Sequence, residues 1–270
     1  KTLKEENGVI LKLKDENNKI RELTIEQVQT ISNLKDKVAS FENNTFSMRK
    51  TKDTRFYAVN IFNLYMEEKF KIKHARNEHA VFSNGDYSEV DLYGDLFFFF
   101  PENDYQYFWS PMIRDFMGRE HAIWNNISAE VIKRFPDEGR EALTILRDVL
   151  DNRDVNPTIK DMVTTLSPEL KLNSGKNAYA MLRKSINYVY DDLDYKMNYI
   201  KSALESRTEI IFRTKKYYLI SPGEIKKHFE LETANDVKLS SLPPSQRTEQ
   251  YNKTKDEYEK LYDNLLELMK

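Results

Sequence analysis

The sequence predicts an α+β protein that is mainly helical, on three observations. Apolar residues repeat every seven positions near the N-terminus, aromatic runs in the middle are typical of strands, and the C-terminal half carries apolar stripes at helical spacing. Four segments follow: a coiled-coil arm (1–44), an aromatic α/β region with a β-hairpin (45–136), a helical domain with a second hairpin (137–239), and a linker with a closing helix (240–270).

Composition narrows the classes of partner. The 42 Lys and Arg nearly cancel the 44 Asp and Glu, so a nucleic-acid partner requires a local basic face. Cysteine is absent, which excludes disulfides and thiolate chemistry. The chain also has no Gly-rich phosphate loop, so no cofactor is predicted.

No apolar run reaches membrane-spanning length and the opening residues do not form a signal peptide, so we expect a cytoplasmic protein with no membrane partner. The chain opens on Lys1 in helix-like sequence, which suggests a piece of a longer protein.

Residues 3–41 fit a heptad frame that starts with Leu3 at an a position. The frame predicts a helix that self-associates, and Asn17 at an a position would pair with its counterpart and fix the register. The alternative is an amphipathic helix folded back on its own domain. The seam residues expected in the oligomer are Ile10, Leu13, Asn17, Ile20, Ile31, Leu34 and Val38.

The aromatic region begins with a predicted helix and continues with a predicted hairpin. Apolar residues over 56–70 recur mostly at helical spacing, with a strand as the alternative. Residues 89–100 are strand-like up to Pro101, and 105–109 would form the second arm of the hairpin. The four phenylalanines of 97–100 do not alternate with polar residues, so we expect both faces of this strand to be covered.

Four carboxylates in this region raise the alternative of a metal site. Asp86, Glu89, Asp91 and Asp95 resemble the acidic residues with which nucleases hold a divalent ion. The same spacing also suits the solvent face of a strand, which is the interpretation that we favour. Neither metal-ligating nor catalytic residues are therefore predicted.

The C-terminal half is predicted to form successive helices followed by two β-rich arms. Capping residues and apolar stripes predict the helices, and a polar turn at Thr214-Lys215 separates the arms 208–213 and 216–221. Helices are expected from Ser110, over 128–135, 138–150, 158–166, 178–193 and 197–204, and over 250–269.

The order helix, short helix, long helix and hairpin over 138–221 resembles the winged-helix module of OmpR-like bacterial transcriptional regulators, whose wing often ends in a strand similar to Lys216-Tyr217-Tyr218-Leu219. The resemblance implies that 177–190 is a recognition helix in the major groove. Between Lys171 and Lys216 the chain has ten basic against five acidic residues, which suits this interpretation. The DNA contacts that the resemblance implies are Lys176, Arg183 and Lys184 on the helix, with Arg213, Lys215 and Lys216 on the wing.

These patterns predict an oligomeric DNA-binding regulator or DNA-associated protein rather than an enzyme. Self-association through residues 3–41 would place two basic modules on the half-sites of double-stranded DNA. The alternative is a structural or scaffolding protein that assembles through its coiled coil and recruits another protein. A metal-dependent nuclease ranks third.

Overall fold

The computed structural model describes residues 9–14, 20–24, 38–40, 56–76, 80–86, 98–101, 105–152, 157–214, 216–220 and 243–268. Within these residues the chain is α+β and mainly helical, which confirms the predicted class. None of the helices described is long and apolar enough to span a membrane.

The described residues form seven helices and eight strands, numbered here in chain order. The helices are α1 (Phe56–Phe70), α2 (Phe116–Arg134), α3 (Gly139–Asp151), α4 (Ile159–Val163), α5 (Ala178–Asp191), α6 (Ile200–Ser206) and α7 (Pro244–Leu268). The strands are β1 (Val9–Lys14), β2 (Ile20–Thr24), β3 (Val38–Ser40), β4 (Ala80–Asn84), β5 (Phe98–Pro101), β6 (Gln106–Trp109), β7 (Glu209–Arg213) and β8 (Lys216–Ile220).

The chain divides into two compact units, each built from separate segments. Residues 45–81 and 108–197 form one unit, called the helical unit because it contains α1 to α5. Residues 1–44, 82–107 and 198–270 form the other, called the sheet unit because it contains most of the strands. The four contiguous domains expected from the sequence stay a prediction, since compactness alone does not say which segments fold independently.

Helix α1 is the centre of the helical unit. Every residue from Tyr57 to Met66 is buried, as expected for a helix that is apolar around its whole circumference. Phe62 lies among four aromatic rings, those of Phe108, Phe116, Tyr190 and Tyr195, with centroid distances of 5.0 to 6.2 Å. The predicted helix over 56–70 is therefore confirmed.

Two buried asparagines on α1 connect it to neighbouring chain segments. The Asn60 amide donates to the carbonyl of Leu150 at 3.1 Å, and the Asn63 side-chain oxygen accepts the backbone N–H of Arg76 at 2.7 Å. Buried amides are stable only when hydrogen-bonded, so these contacts fix the path of the chain around α1.

The helix starts depend on capping side chains. Asp115 accepts the N–H groups of Met117 and Gly118 at the start of α2, and Asn177 accepts that of Ala180 at the start of α5. The sequence predicted two separate helices here, one from Ser110 and one over 128–135. This prediction is wrong, because α2 is one continuous helix. The Ser110 hydroxyl instead accepts the N–H of Met112 in the turn before the helix.

The N-terminal coiled coil is wrong over the residues described. Ile10, Leu13, Ile20 and Val38 lie in strands, whereas Asn17, Ile31 and Leu34 lie outside the described residues. Strands β1 and β2 pair antiparallel. In β1 the residues Val9, Leu11 and Leu13 alternate with Ile10, Lys12 and Lys14, so a strand period and a heptad both fit so short a segment. In the register of the two strands, Lys12 is opposite Glu22 and Leu11 is opposite Leu23.

Neither predicted hairpin is present among the described residues. Strand β5 pairs antiparallel with β8, in a sheet of order β3-β8-β5, whereas β6 belongs to a sheet of order β4-β7-β6. The two arms expected to form the wing, β7 and β8, are strands but belong to different sheets. A turn-like sequence between two strands does not decide their partners, and β8 pairs on both sides with strands far earlier in the chain.

Helix α7 is held within the sheet unit by a buried tyrosine and an ion pair. The Tyr262 hydroxyl donates to the carbonyl of Leu204 at 2.8 Å, and the Arg207 guanidinium lies 2.9 Å from the Asp263 carboxylate. The Arg207 guanidinium also lies 5.5 Å from the centre of the Tyr262 ring. These contacts connect α7 to the chain around Leu204 and Arg207.

Candidate nucleic-acid interface

Two of the three predicted DNA contacts in the helical unit are engaged within the protein. The Lys176 ammonium lies 2.7 Å from the Glu138 carboxylate. The Arg183 Nε donates to both carboxylate oxygens of Glu68 at 2.7 Å. Lys184 is exposed on α5 and makes no ion pair with any residue described. Of these three cations, Lys184 is the one that no described carboxylate pairs with.

The three predicted wing residues belong to the sheet unit. Arg213 is half-buried, and burial lowers the pKa of its guanidinium. Lys216 lies in β8, and Lys215 lies outside the described residues. Because β7 and β8 belong to different sheets, the described backbone does not present these residues on a wing.

A recess in the helical unit is lined by three lysines that the sequence interpretation missed. Its volume is about 490 Å³. We call it the lysine recess. It is lined by Glu67, Lys71, Lys73, Ile159, Lys160, Val163 and Thr164.

The first wall of the lysine recess is the end of α1 and the turn that follows it. Lys71 adopts a left-handed conformation with φ of 62°, and its N–H reaches the carbonyl of Glu67 at 3.1 Å. A residue in this conformation commonly ends a helix. Ile72 is buried, whereas Lys71 and Lys73 on either side of it are exposed. The turn thus buries the apolar side chain and directs both lysines outward.

The second wall is the short helix α4. Thr158 and Asp161 form a reciprocal capping box at its start, and the Glu67 carboxylate accepts the N–H of Ile159 at 2.9 Å. Met162, a residue of this helix, is fully buried. The carboxylate of Glu67 therefore ties α4 to α1 and fixes the two walls of the recess to each other.

Three described carboxylates of the helical unit, those of Asp161, Glu68 and Asp191, accept hydrogen bonds within the protein. Backbone and side-chain hydrogen bonds from Thr158 lower the pKa of Asp161. Burial raises the pKa of Glu68, but hydrogen bonds from Arg183 and Asn187 outweigh that effect and lower it overall. The Asp191 carboxylate accepts bonds from Lys69 and Tyr65, at 3.0 and 3.1 Å.

The three lysines that line the recess make no such close contact with a described carboxylate, although Lys71 and Lys160 interact electrostatically with Glu68 and Asp161. Lys71 donates one hydrogen bond to the backbone carbonyl of Glu68 at 2.9 Å. Lys71, Lys73 and Lys160 form no ion pair with a described residue. Three cations therefore face one lining carboxylate, that of Glu67, which already accepts a backbone N–H. Such a surface attracts anions.

The two units also differ in total charge. Residues 45–81 and 108–197 hold 21 Lys and Arg against 18 Asp and Glu. The remaining residues hold 21 against 26. The near-neutral balance of the whole chain therefore conceals a basic helical unit and an acidic sheet unit.

The described residues do not support the metal-site alternative. They contain no group of three or more His, Asp or Glu side chains that could hold a metal ion. Asp86 is buried and its N–H donates to the Asn84 side chain, whereas Glu89, Asp91 and Asp95 lie outside the described residues.

A local signal for part of the lysine recess was present in the sequence. Lys69, Lys71 and Lys73 alternate with apolar residues at the end of a predicted helix, and only Lys160 required the fold to bring it close. Comparison with known proteins adds no signal, because no protein-family model, curated protein or solved structure matches this chain. Function therefore has to be inferred from the chemistry of the described residues.

Proposed function

We propose that this protein is a DNA-associated protein that binds nucleic acid through its helical unit. One observation carries the proposal: three lysines line one recess, and none of them forms an ion pair with a described carboxylate. Phosphate backbones bind to such groups because each contact releases condensed counterions into solution.

The charge around the lysine recess supports the same conclusion. The carboxylates of Glu67, Glu68, Asp161 and Asp191 already accept hydrogen bonds from other groups of the protein. An approaching phosphate would therefore meet the lysines without first breaking an ion pair between them and a described carboxylate. The net positive balance of the whole unit adds a longer-range attraction.

The proposal keeps the class of function predicted from the sequence but relocates the binding surface. Lys184 stays a candidate contact because it is exposed and unpaired with described residues, whereas Lys176 and Arg183 would have to leave their carboxylates. The alternative of a scaffold assembled through a coiled coil loses support, because described parts of the expected arm are strands.

Binding of a fluorescein-labelled DNA, followed by anisotropy, tests the proposal. We expect salt-sensitive binding that weakens by about tenfold or more when Lys71, Lys73 and Lys160 are all changed to Gln, because three phosphate contacts are lost. The matched control changes Lys201, Lys253 and Lys260 of the sheet unit to Gln, which alters the net charge equally. The proposal is wrong if the parent protein does not bind at about 50 mM salt, or if the two triple variants bind alike.

A further inference from the structure

The lysine recess is an open depression with a volume of about 490 Å³, so its lining rather than its size bears on which form of nucleic acid suits it. A duplex stacks its bases inward, so it presents phosphates and sugars to such a surface but no free face of a base. A nucleotide of an unpaired strand can enter with its phosphate, sugar and base.

The lining is of two kinds, cationic and apolar. Lys71, Lys73 and Lys160 provide the ammonium groups, and Ile159 and Val163 provide aliphatic surface on one turn of α4. Val163 is 59% exposed, so its aliphatic side chain is accessible to a ligand. A nucleotide carries both matching parts, an anionic phosphate and a flat, weakly polar base.

We propose that the lysine recess binds a nucleoside phosphate that has no partner strand, with the phosphate at the lysines and the sugar or base against Ile159 and Val163. The proposal rests on the proposed function and adds a preference for unpaired nucleotides. The nucleotide could belong to a single strand or be free, since the chemistry presented to the recess is the same.

Four probes at one salt concentration test the preference. They are a labelled twelve-residue oligothymidylate, a duplex of the same length, thymidine monophosphate as a competitor, and a glutamate peptide with the same number of charges as the oligonucleotide. We expect the single strand to bind about tenfold tighter than the duplex, and the peptide to compete poorly. If the monophosphate competes at a similar concentration of nucleotide, a free nucleotide is sufficient for binding. If it does not compete, the recess requires a nucleotide that belongs to a strand. Both results support the inference.

Two single variants separate the two kinds of contact. Lys160→Gln should weaken single-strand binding and make its dependence on salt shallower, because one phosphate contact is lost. Val163→Ser should weaken binding several-fold without changing the salt dependence, because an apolar contact releases no counterions. Ile132→Ser on α2 is the control for loss of an exposed aliphatic side chain in the same unit and should leave binding unchanged.

The outcomes distinguish this inference from the proposed function. Tighter binding to the duplex, equal competition by the peptide, or an unaltered affinity of Val163→Ser would overturn the inference while leaving nucleic-acid binding in place. Absence of binding to both the single strand and the duplex would overturn both proposals.

Discussion

The helical unit and the sheet unit differ in how far along the chain the contacts reach that start the helices of one and pair the strands of the other. In the helical unit, caps such as Asp115 and Asn177 bond to N–H groups two or three residues away and set where helices begin. In the sheet unit, β8 pairs with β3 and β5, which lie far earlier in the chain, while β7, its neighbour in sequence, belongs to another sheet. Local sequence therefore specifies the first unit much more directly than the second.

The two units also differ in charge, and this difference matters for function. The helical unit has an excess of basic residues and contains the lysine recess, whereas the sheet unit has an excess of acidic residues. A polyanion is accordingly expected to bind the helical unit. The predictions below probe the interior and the surface of each unit, starting with the largest expected effect.

The largest effect is expected in the core of the helical unit. Phe62→Ala removes a fully buried ring that contacts four aromatic neighbours, so it should lower the free energy of unfolding by about 3–5 kcal/mol. Urea unfolding followed by circular dichroism measures the change. The control, Tyr188→Ala on the half-exposed surface of α5, should cost less than about 1 kcal/mol. Equal costs for the two variants would contradict the central position of Phe62.

A smaller effect is expected where α7 packs in the sheet unit. A Cβ atom at Gly85 would lie 2.5 Å from the Tyr262 hydroxyl oxygen and 3.1 Å from the Arg207 Cα, so Gly85→Ala should destabilise by about 1–3 kcal/mol. Tyr262→Phe removes the closest atom, although it also loses the bond to Leu204. The double variant should therefore cost less than the sum of the single variants, measured by a double-mutant cycle. Simple additivity would show that Gly85 and Tyr262 do not pack together.

The variant Lys71→Gly should change stability and DNA affinity in opposite directions. Glycine adopts the left-handed conformation of residue 71 without steric cost, so the variant should gain about 1 kcal/mol of stability although it loses a binding contact. Thermal unfolding and DNA affinity are measured on the same preparation. Lys73→Gly is the matched control: it loses the same charge at a residue whose φ is not positive, so it should weaken binding without any gain in stability. A destabilised Lys71→Gly would contradict the assigned conformation.

The smallest effect concerns the ion pair between α1 and α5. Hydrogen bonds from Arg183 and Asn187 outweigh burial and hold the pKa of Glu68 below its ordinary value of 4.5. The pair therefore stabilises the folded state above that pH, and the stabilisation is lost as the pH falls through the lowered pKa. Arg183→Gln should cost less than about 1 kcal/mol at neutral pH, because the pair is partly exposed, and the difference from the parent should shrink in acid.

Urea unfolding at neutral pH and below pH 4 measures the difference. Lys184→Gln on the same helix is the control, since Lys184 makes no ion pair with a described residue and should show no such change with pH. A cost of Arg183→Gln that stays constant between the two conditions would mean that Glu68 does not titrate against Arg183.

Sequence patterns predicted the helices better than the strands, for a physical reason. The apolar stripe of α5 and its cap at Asn177 are local, and both identify the helix without knowledge of the fold. The residues of β1 suit a heptad and a strand equally, and only pairing with β2 decides between them. Both strands expected between 208 and 221 are present, but they do not pair with each other as a hairpin. Their pairing depends on distant segments of the chain, which a local pattern does not reveal.

The candidate site was missed for a related reason. Exposed cations were sought on a recognition helix, but Lys176 and Arg183 pair with carboxylates of other elements, which sequence spacing does not reveal. Lys71 and Lys73 stood out locally, whereas their neighbour Lys160 is brought to them by the contact of Glu67 with α4. Charge in the sequence becomes informative only when the partners of each charge are known.

The dependence of single-strand affinity on salt is the most direct test of the central claim, that the lysine recess holds phosphates. The affinity of the parent protein should fall steeply between about 50 and 200 mM salt, and the slope of its logarithmic plot should become shallower by about two units in the variant with Lys71, Lys73 and Lys160 changed to Gln. The control with Lys201, Lys253 and Lys260 changed should keep the parent slope. Equal slopes for all three proteins would contradict the claim.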